Sequence, residues 1–430
     1  MFRGFSGGVH PPENKLTEEF AIAVMPPPKK VYIHFSQHTG KPARSLVEKG
    51  DVVKIGERIG EGDGFISASV HASISGKIIA IESCPHPVLG TSLCCVIEST
   101  NGAKWKDTIK EKTDYEKKSK EELLQIIKES GIVGLGGAAF PTHVKLSPPS
   151  DKPIDTLIVN GCECEPMLTA DHRLMLEHPA EIIEGAKIFR KILNAENLIF
   201  GIEDNKKDAA EILRKQSVNV KLLKTKYPQG AEKQLIKALL GREVPRGGLP
   251  MDVGCVVQNV GTCYAAFQAV KYRKPLIERV VTVTGTAVKK PKNLLIRIGC
   301  PVIDVVNFCG GYIRQPKQII FGGPMMGIAQ YSENVPTIKG TSGIMVCKDT
   351  VIPEEGPCVR CASCVDVCPM GLMATEIYKF VDNKNFSKAK EYGVLDCIEC
   401  GCCAYSCPSR IPLVHYLKFG KSEIWRLSKK

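Results

Sequence analysis

The chain has 430 residues, 43% of them hydrophobic and 24% charged, with a formal net charge of +12. That length exceeds a single hydrophobic core and predicts three or four domains, and no apolar run approaches the roughly 20 residues needed to cross a bilayer. The opening MFRGFSGGVHPPENK lacks the apolar stretch of a signal peptide, so the expected compartment is the cytosol, where 19 cysteines point to metal rather than to disulfides.

The lysines are scattered. Their densest run, KWKDTIKEKTDYEKKSKEE, is mixed in sign and reads as a solvated linker, so nucleic acid is not expected as a partner. A basic surface equally suits acidic electron-carrier proteins or anionic lipid headgroups.

In chain order, residues 1–118 are expected to hold an N-terminal segment and a β domain. Its LVEKGDVVKIGERIGEGDGFISASVHASISGKIIAI alternates strands with glycine turns and resembles the barrel-sandwich fold of biotinyl and lipoyl carriers. Those carriers present a modifiable lysine at a hairpin tip; the corresponding tip near ISASVHAS has none, so a docking role is expected. His34, His38 and His71 lie in this region, where satisfied or exposed histidines are more usual than metal ligands.

Residues 119–275 alternate helix and strand. The helical pattern KEELLQIIKES leads into GIVGLGGAAFPTHVKL, with Gly131, Gly134, Gly136 and Gly137. Glycines allow close backbone approach to a ligand, and their N–H groups can cradle a phosphate. IDTLIVNGCECEP then reads as a buried strand ending at Asn160, followed by a polar turn with Glu163 and Glu165. Ile182, Ala186, Phe189 and Leu193 mark the apolar face of a helix, and NLIFGIED, KKDAAEILRKQ, VNVKLLKT and GAEKQLIKALLG continue strand, helix, strand, helix. This order predicts a Rossmann-like parallel sheet with ligands outside the carboxyl ends of its strands. Residues 276–345 give strands around one helix, VIDVVNFCG, and predict a β-grasp unit.

Residues 346–430 carry nine of the cysteines between Cys358 and Cys407. Cys358, Cys361, Cys364 and Cys368 follow C-x2-C-x2-C-x3-C-P, and Cys397, Cys400, Cys403 and Cys407 repeat it. This is the bacterial two-cluster ferredoxin run, in which the fourth cysteine reaches the other cluster. One [4Fe–4S] cluster is therefore assigned to Cys358, Cys361, Cys364 and Cys407, the other to Cys397, Cys400, Cys403 and Cys368, and Cys402 is surplus. Two structural zinc sites are the alternative, but zinc favours paired C-x2-C knuckles over three cysteines in series. Two short helices are expected between the runs, and the basic C-terminus is mildly amphipathic, suiting a surface helix or a lipid or partner contact. Cys162 and Cys164 are too few for a metal site, and the remaining cysteines read as core thiols.

The motifs GLGGAAFPTHVKL, VNGCECEP, YPQGAEKQLI and QNVGT occur in the order found in the flavin-containing, NADH-oxidising subunit of respiratory complex I. With GGVHPPENK, MPPPKKVYIHFSQHTGKPA and the doubled cluster motif, the resemblance is closer to the RnfC component of the Rnf ferredoxin:NAD oxidoreductases and covers almost the whole chain. It implies FMN and NADH or NAD as ligands beside the two clusters. By position, it implies that Gly134, Gly136 and Lys145 line the FMN phosphate and ring, with Gly137 in the same turn. Asn160, Glu163, Tyr227, Gly230 and Asn259 would complete the flavin pocket. Phe140 would stack on a ring of the dinucleotide, and Glu165 and Glu232 would accept hydrogen bonds from its ribose hydroxyls, which disfavours a 2′-phosphate.

Leu135, Ala139, Cys162 and Pro148 depart from the complex I pattern, which there has arginine, glycine, aspartate and a second aromatic. The implied function is electron transfer between NADH, FMN and the clusters in an ion-translocating complex. Its partners would be a ferredoxin-type subunit and membrane-embedded flavin subunits, with this chain peripheral on the cytoplasmic face. The alternatives are a cobalamin reductase of bacterial microcompartments and a non-catalytic iron–sulfur relay.

Overall fold

The computed structural model describes residues 4–100, 102–107, 109, 113–350 and 354–428. Two small antiparallel sheets build the barrel-sandwich domain. One orders the strands Lys30–His34, Gly90–Ser99, Gly76–His86 and Val52–Val53, the other Arg44–Ser45, Arg58–Glu61 and Val70–His71. Alternation along these strands turns Val31, Ile33, Ile59, Val70 and Ile78 inward onto Phe35, while Lys30, Tyr32, Arg58 and Lys77 keep contact with solvent.

The next domain is a four-stranded parallel sheet ordered Asn219–Leu223, Asn197–Glu203, Thr156–Asn160, Cys255–Asn259. Helices cover both faces, so Leu157, Ile158 and Val159 are successive buried residues rather than an alternating set. The helix Pro179–Leu193 starts on a proline at its first position, buries Ile182, Ala186, Phe189 and Leu193, and stops where Asn194 turns left-handed at φ 55°. It packs against Val260–Tyr272, whose first turn is capped by Asn259.

A six-stranded mixed sheet with the helix Val302–Phe308 against it forms the third domain. Its edge strand is Ala23–Val24, paired parallel with Lys292–Arg297. The first 25 residues thus run as an arm outside the barrel-sandwich core: Gly8 N–H donates to Val367 O, Val9 pairs with Tyr227, and Ala23–Val24 joins this sheet. No local periodicity announces that path, because the contacts that fix its course across the domains are long-range.

The C-terminal module is helical. Ala374–Asp382 and Phe386–Glu391 lie between the cysteine runs, and both pack on Leu413–Ser428. That last helix buries Leu413, Leu417 and Ile424, and its Gly420 lies where a Cβ would come within 2.5 Å of Val381. Among the described residues no helix is long and apolar enough to cross a membrane.

Candidate functional site: a flavin pocket joined to two thiol sets

Asn160 and Asn259 end adjacent parallel strands and are register partners, so two carboxamides stand side by side at the carboxyl edge of the sheet. Asn160 donates from Nδ2 to Gly230 O at 2.8 Å and accepts from the Cys162 N–H at 3.1 Å. Asn259 accepts from the Gly261 N–H at 2.8 Å and donates to Asp171 Oδ2 at 2.6 Å. The glycine-rich loop closes over this edge. Its ends are tied by Gly134 N–H to Phe140 O at 2.8 Å, and the Leu135 N–H donates to Thr262 Oγ1 at 2.9 Å. The Leu135 side chain is buried, which leaves the Gly136, Gly137 and Ala138 backbone exposed. A Cβ at Gly136 would come within 3.3 Å of Asn259 Cβ, so glycine lets the loop approach this edge without displacing Asn259.

Lys145 lies beneath the loop, donating to Val257 O at 2.9 Å and pairing with Glu232. Phe140 is half-buried at the loop's end. Glu163 accepts from the Asp171 and His172 N–H groups at 2.8 and 3.1 Å and so caps the helix that follows. Glu165 does not stand free at a mouth for a ribose. Its two oxygens accept from the Met325 and Met326 N–H groups at 3.2 and 2.6 Å, docking the β-grasp loop. Burial pushes its carboxyl up to about 7 against the pull of those N–H groups. Burial first, then the neighbouring Glu163 charge, likewise raises Asp171 to about 7.

Tyr227 is sealed at the junction with the cysteine module. It is 3% exposed, its hydroxyl donates to Cys400 O at 2.7 Å, and burial raises its phenol far above the usual range. Gly230 stands beside it, donating to Cys164 Sγ at 3.3 Å; burial lifts that thiol to about 12. Gln229, buried next to Gly230, keeps an amide NH2 without a protein partner, a donor available to a bound group.

The structure gathers the thiols in the two sets expected from their spacing. Cys358, Cys361, Cys364 and Cys407 line one shallow hollow. Cys368, Cys397, Cys400 and Cys403 lie close together: burial raises the Cys397 and Cys403 thiols, and the nearby Cys400 and Cys368 add to it. Among the described residues no three acidic, histidine or cysteine groups converge as a single ion requires. In a cubane each thiolate binds its own iron, so the four thiols of a set need not meet at one point. Cys402 is buried beside the second set, its thiol against Cys400 and toward Tyr227 O.

Two groups escaped the sequence reading. Lys15 reaches from the N-terminal arm and donates to the carbonyls of Glu163, Glu165 and Leu168 at 3.0, 3.2 and 2.8 Å. Arg279 of the β-grasp sheet is buried and donates to Leu135 O at 3.2 Å, fixing the glycine-rich loop from behind. Lys15 closes the stretch GGVHPPENK, to which no role was assigned, and Arg279 lies outside the motifs quoted above.

Comparison with known proteins agrees with this layout. Residues 3–102 match the RnfC barrel sandwich hybrid domain, 127–268 the Nuo51 FMN-binding domain, 280–329 the SLBB domain and 350–408 a 4Fe-4S dicluster domain. The chain is 48% identical over 98% of its length to the C component of the proton-translocating ferredoxin:NAD(+) oxidoreductase complex of Clostridium ljungdahlii, covering 94% of that protein. It is 44% identical over 98% of its length to the Na(+)-translocating counterpart of Acetobacterium woodii, covering 97% of it. It is also 40% identical over 99% of its length to the C component of an ion-translocating oxidoreductase complex of Citrobacter koseri, a longer protein of which 61% is covered.

Proposed function

The chain belongs to the RnfC family, the C components of ion-translocating ferredoxin:NAD(+) oxidoreductase complexes, and from that premise we propose that it is the subunit where such a complex meets NADH. It is an electron-transfer subunit with FMN and two [4Fe–4S] clusters as cofactors. When bound, FMN supplies the conversion between hydride chemistry and one-electron transfer, and the clusters supply a path for single electrons.

The residues divide that work. The exposed backbone of Gly136 and Gly137, with Gly134 at the base of their loop, offers N–H groups to a phosphate, and Lys145 beneath supplies positive charge. Asn160 and Asn259 hold the pocket's floor from adjacent strands. Glu232 is the carboxylate open to a ribose diol, and its release from Lys145 accompanies nucleotide binding. The eight cysteines Cys358, Cys361, Cys364, Cys407, Cys368, Cys397, Cys400 and Cys403 ligate the clusters.

One observation carries the reading: Tyr227, on the flavin side, hydrogen-bonds to the chain at Cys400, so the cysteine module is docked onto the flavin domain rather than tethered to it. The second thiol set faces the flavin domain, and the first faces outward, where a ferredoxin-type subunit or a membrane-embedded flavin subunit would dock. This order suits a peripheral subunit on the cytoplasmic face of the membrane. Electron flow can run either way along it.

The test is an anaerobic NADH titration of the full chain reconstituted with FMN and about eight irons. Flavin and cluster absorbance are both expected to bleach. A fully loaded chain in which NADH bleaches neither would overturn the reading and leave the non-catalytic relay.

A further inference from the structure

The barrel-sandwich domain is turned tip-first onto the glycine-rich loop. Thr39 donates from its hydroxyl to Ala138 O at 2.7 Å and from its N–H to Ala139 O at 3.2 Å. The adjoining turn, residues 63–67, is stiffened by its own polar groups. Ser67 Oγ accepts from the Asp63 N–H at 3.0 Å and donates to Lys41 O at 2.8 Å, and the Lys41 N–H donates to Ile66 O at 2.9 Å. Gly40, at φ +113°, lies so close that a Cβ there would come within 2.2 Å of Ile66 O, so the two turns are packed backbone against backbone.

On this support Phe65 is 69% exposed, and its carbonyl faces His143 in the short helix just after Phe140. A lone exposed apolar side chain is ordinary on a protein surface. This one is different in its setting. It is carried by a turn that is packed on the Thr39–Lys41 turn, and Thr39 is bonded to the same loop whose Gly136–Ala138 backbone is open. A flat aromatic beside an open backbone cradle is a stacking surface for a heterocycle.

We propose that the barrel-sandwich domain is the second wall of the nucleotide cleft, and that Phe65 stacks on the adenine of NADH. The tip that carries a lysine in biotinyl and lipoyl carriers is here a fixed part of a binding site. The proposal rests on the NADH reading above and deepens it by naming a residue outside the flavin domain that sets affinity for the adenosine half.

The experiment uses the full chain loaded with FMN and clusters. Binding of ADP-ribose, which has the adenine and both phosphates but no nicotinamide, is measured by calorimetry. Flavin bleaching by NADH and by reduced nicotinamide mononucleotide, which lacks the adenosine, is measured alongside. Phe65→Ala is expected to weaken ADP-ribose and to raise the KM for NADH, each roughly tenfold, the usual scale for loss of one base-aromatic stack. Kinetics with the mononucleotide should not change, and Phe65→Trp should restore ADP-ribose binding. Unchanged ADP-ribose affinity in Phe65→Ala overturns the proposal, while continued bleaching by NADH leaves the broader reading standing. Parallel losses with NADH and mononucleotide, not rescued by Phe65→Trp, also overturn it, since they show a merely structural tip. A wild-type chain that binds ADP-ribose but is never bleached by NADH overturns the broader reading instead.

Discussion

The two cysteine runs have the same spacing, and both bury a thiol, but they differ in how far their leading thiols are covered. Cys358 and Cys361 are exposed and line an open hollow, whereas Cys400 and Cys403 are each 8% exposed, and Cys400 packs with Tyr227, Val9 and Met325. The N-terminal arm adds to the contrast: Gly8, Val9 and Lys15 all fasten the sealed side. Spacing decides what is bound, because three thiolates two residues apart converge on three irons from one short loop. Packing decides what the bound group is for. A cluster walled in by the flavin domain can exchange electrons only inward and with its neighbour, and one open to water is available to a partner.

The strongest break of this comparison is to remove one cluster at a time. Cys403→Ala is expected to leave NADH able to bleach the flavin while abolishing reduction of the remaining cluster. Cys361→Ala is expected to leave one cluster reducible by NADH but to abolish transfer to the partner subunits. Absorbance and electron paramagnetic resonance in the assembled complex check both. If the two variants behave alike, the sealed and open sets do not differ in role.

Next in size is Lys15→Met. It keeps the bulk of the side chain but leaves three carbonyls without their charged donor, an expected loss of about 2–3 kcal/mol of stability. Thermal unfolding of the reconstituted chain measures it, and the damage should fall on flavin retention before iron content at the open set. Tyr227→Phe is milder: it removes one buried hydrogen bond to Cys400 O, about 1 kcal/mol, and should slow cluster reduction by NADH without slowing flavin bleaching. An unchanged rate would mean that the backbone pairing of Val9 and Tyr227 holds the junction without the hydroxyl.

Much of this was legible in the residues. The cluster runs, the parallel strands with their unbroken apolar stretches and the glycine-rich loop all depend on local spacing, and the structure gathers them as that spacing requires. The exceptions share one cause. Lys15 meets Glu163, Thr39 meets Ala138 and Arg279 meets Leu135 across long loops, and no periodicity encodes such pairs. Glu165 shows a second difficulty. A carboxylate accepts from a ribose diol or from backbone N–H groups equally well, and only the fold reveals that Met325 and Met326 supply the donors. Leu135 is the converse case: at this departure from a related motif the side chain enters the core while the backbone keeps the loop tied to Thr262.

Glu165 also yields the smallest and most selective test. Its folded pKa, about 7, lies above the ordinary glutamate value of about 4.3, so the folded chain holds this proton more tightly than the unfolded chain. The associated stabilisation is therefore complete below the ordinary value, declines as pH rises, and is gone once pH has passed through about 7. Lys15, whose charge opposes the shift, moderates it, and Asp171, also raised to about 7, adds a parallel slope. Glu165→Gln should reduce, without abolishing, the fall in unfolding midpoint between about pH 5 and pH 8. Because Met325 sits against Gly401 in the second cysteine run, the same variant should leave iron binding at the Cys358 set untouched. A pH profile as steep as that of the wild type would mean that Glu165 is ionised throughout and is held by Lys15 rather than by burial.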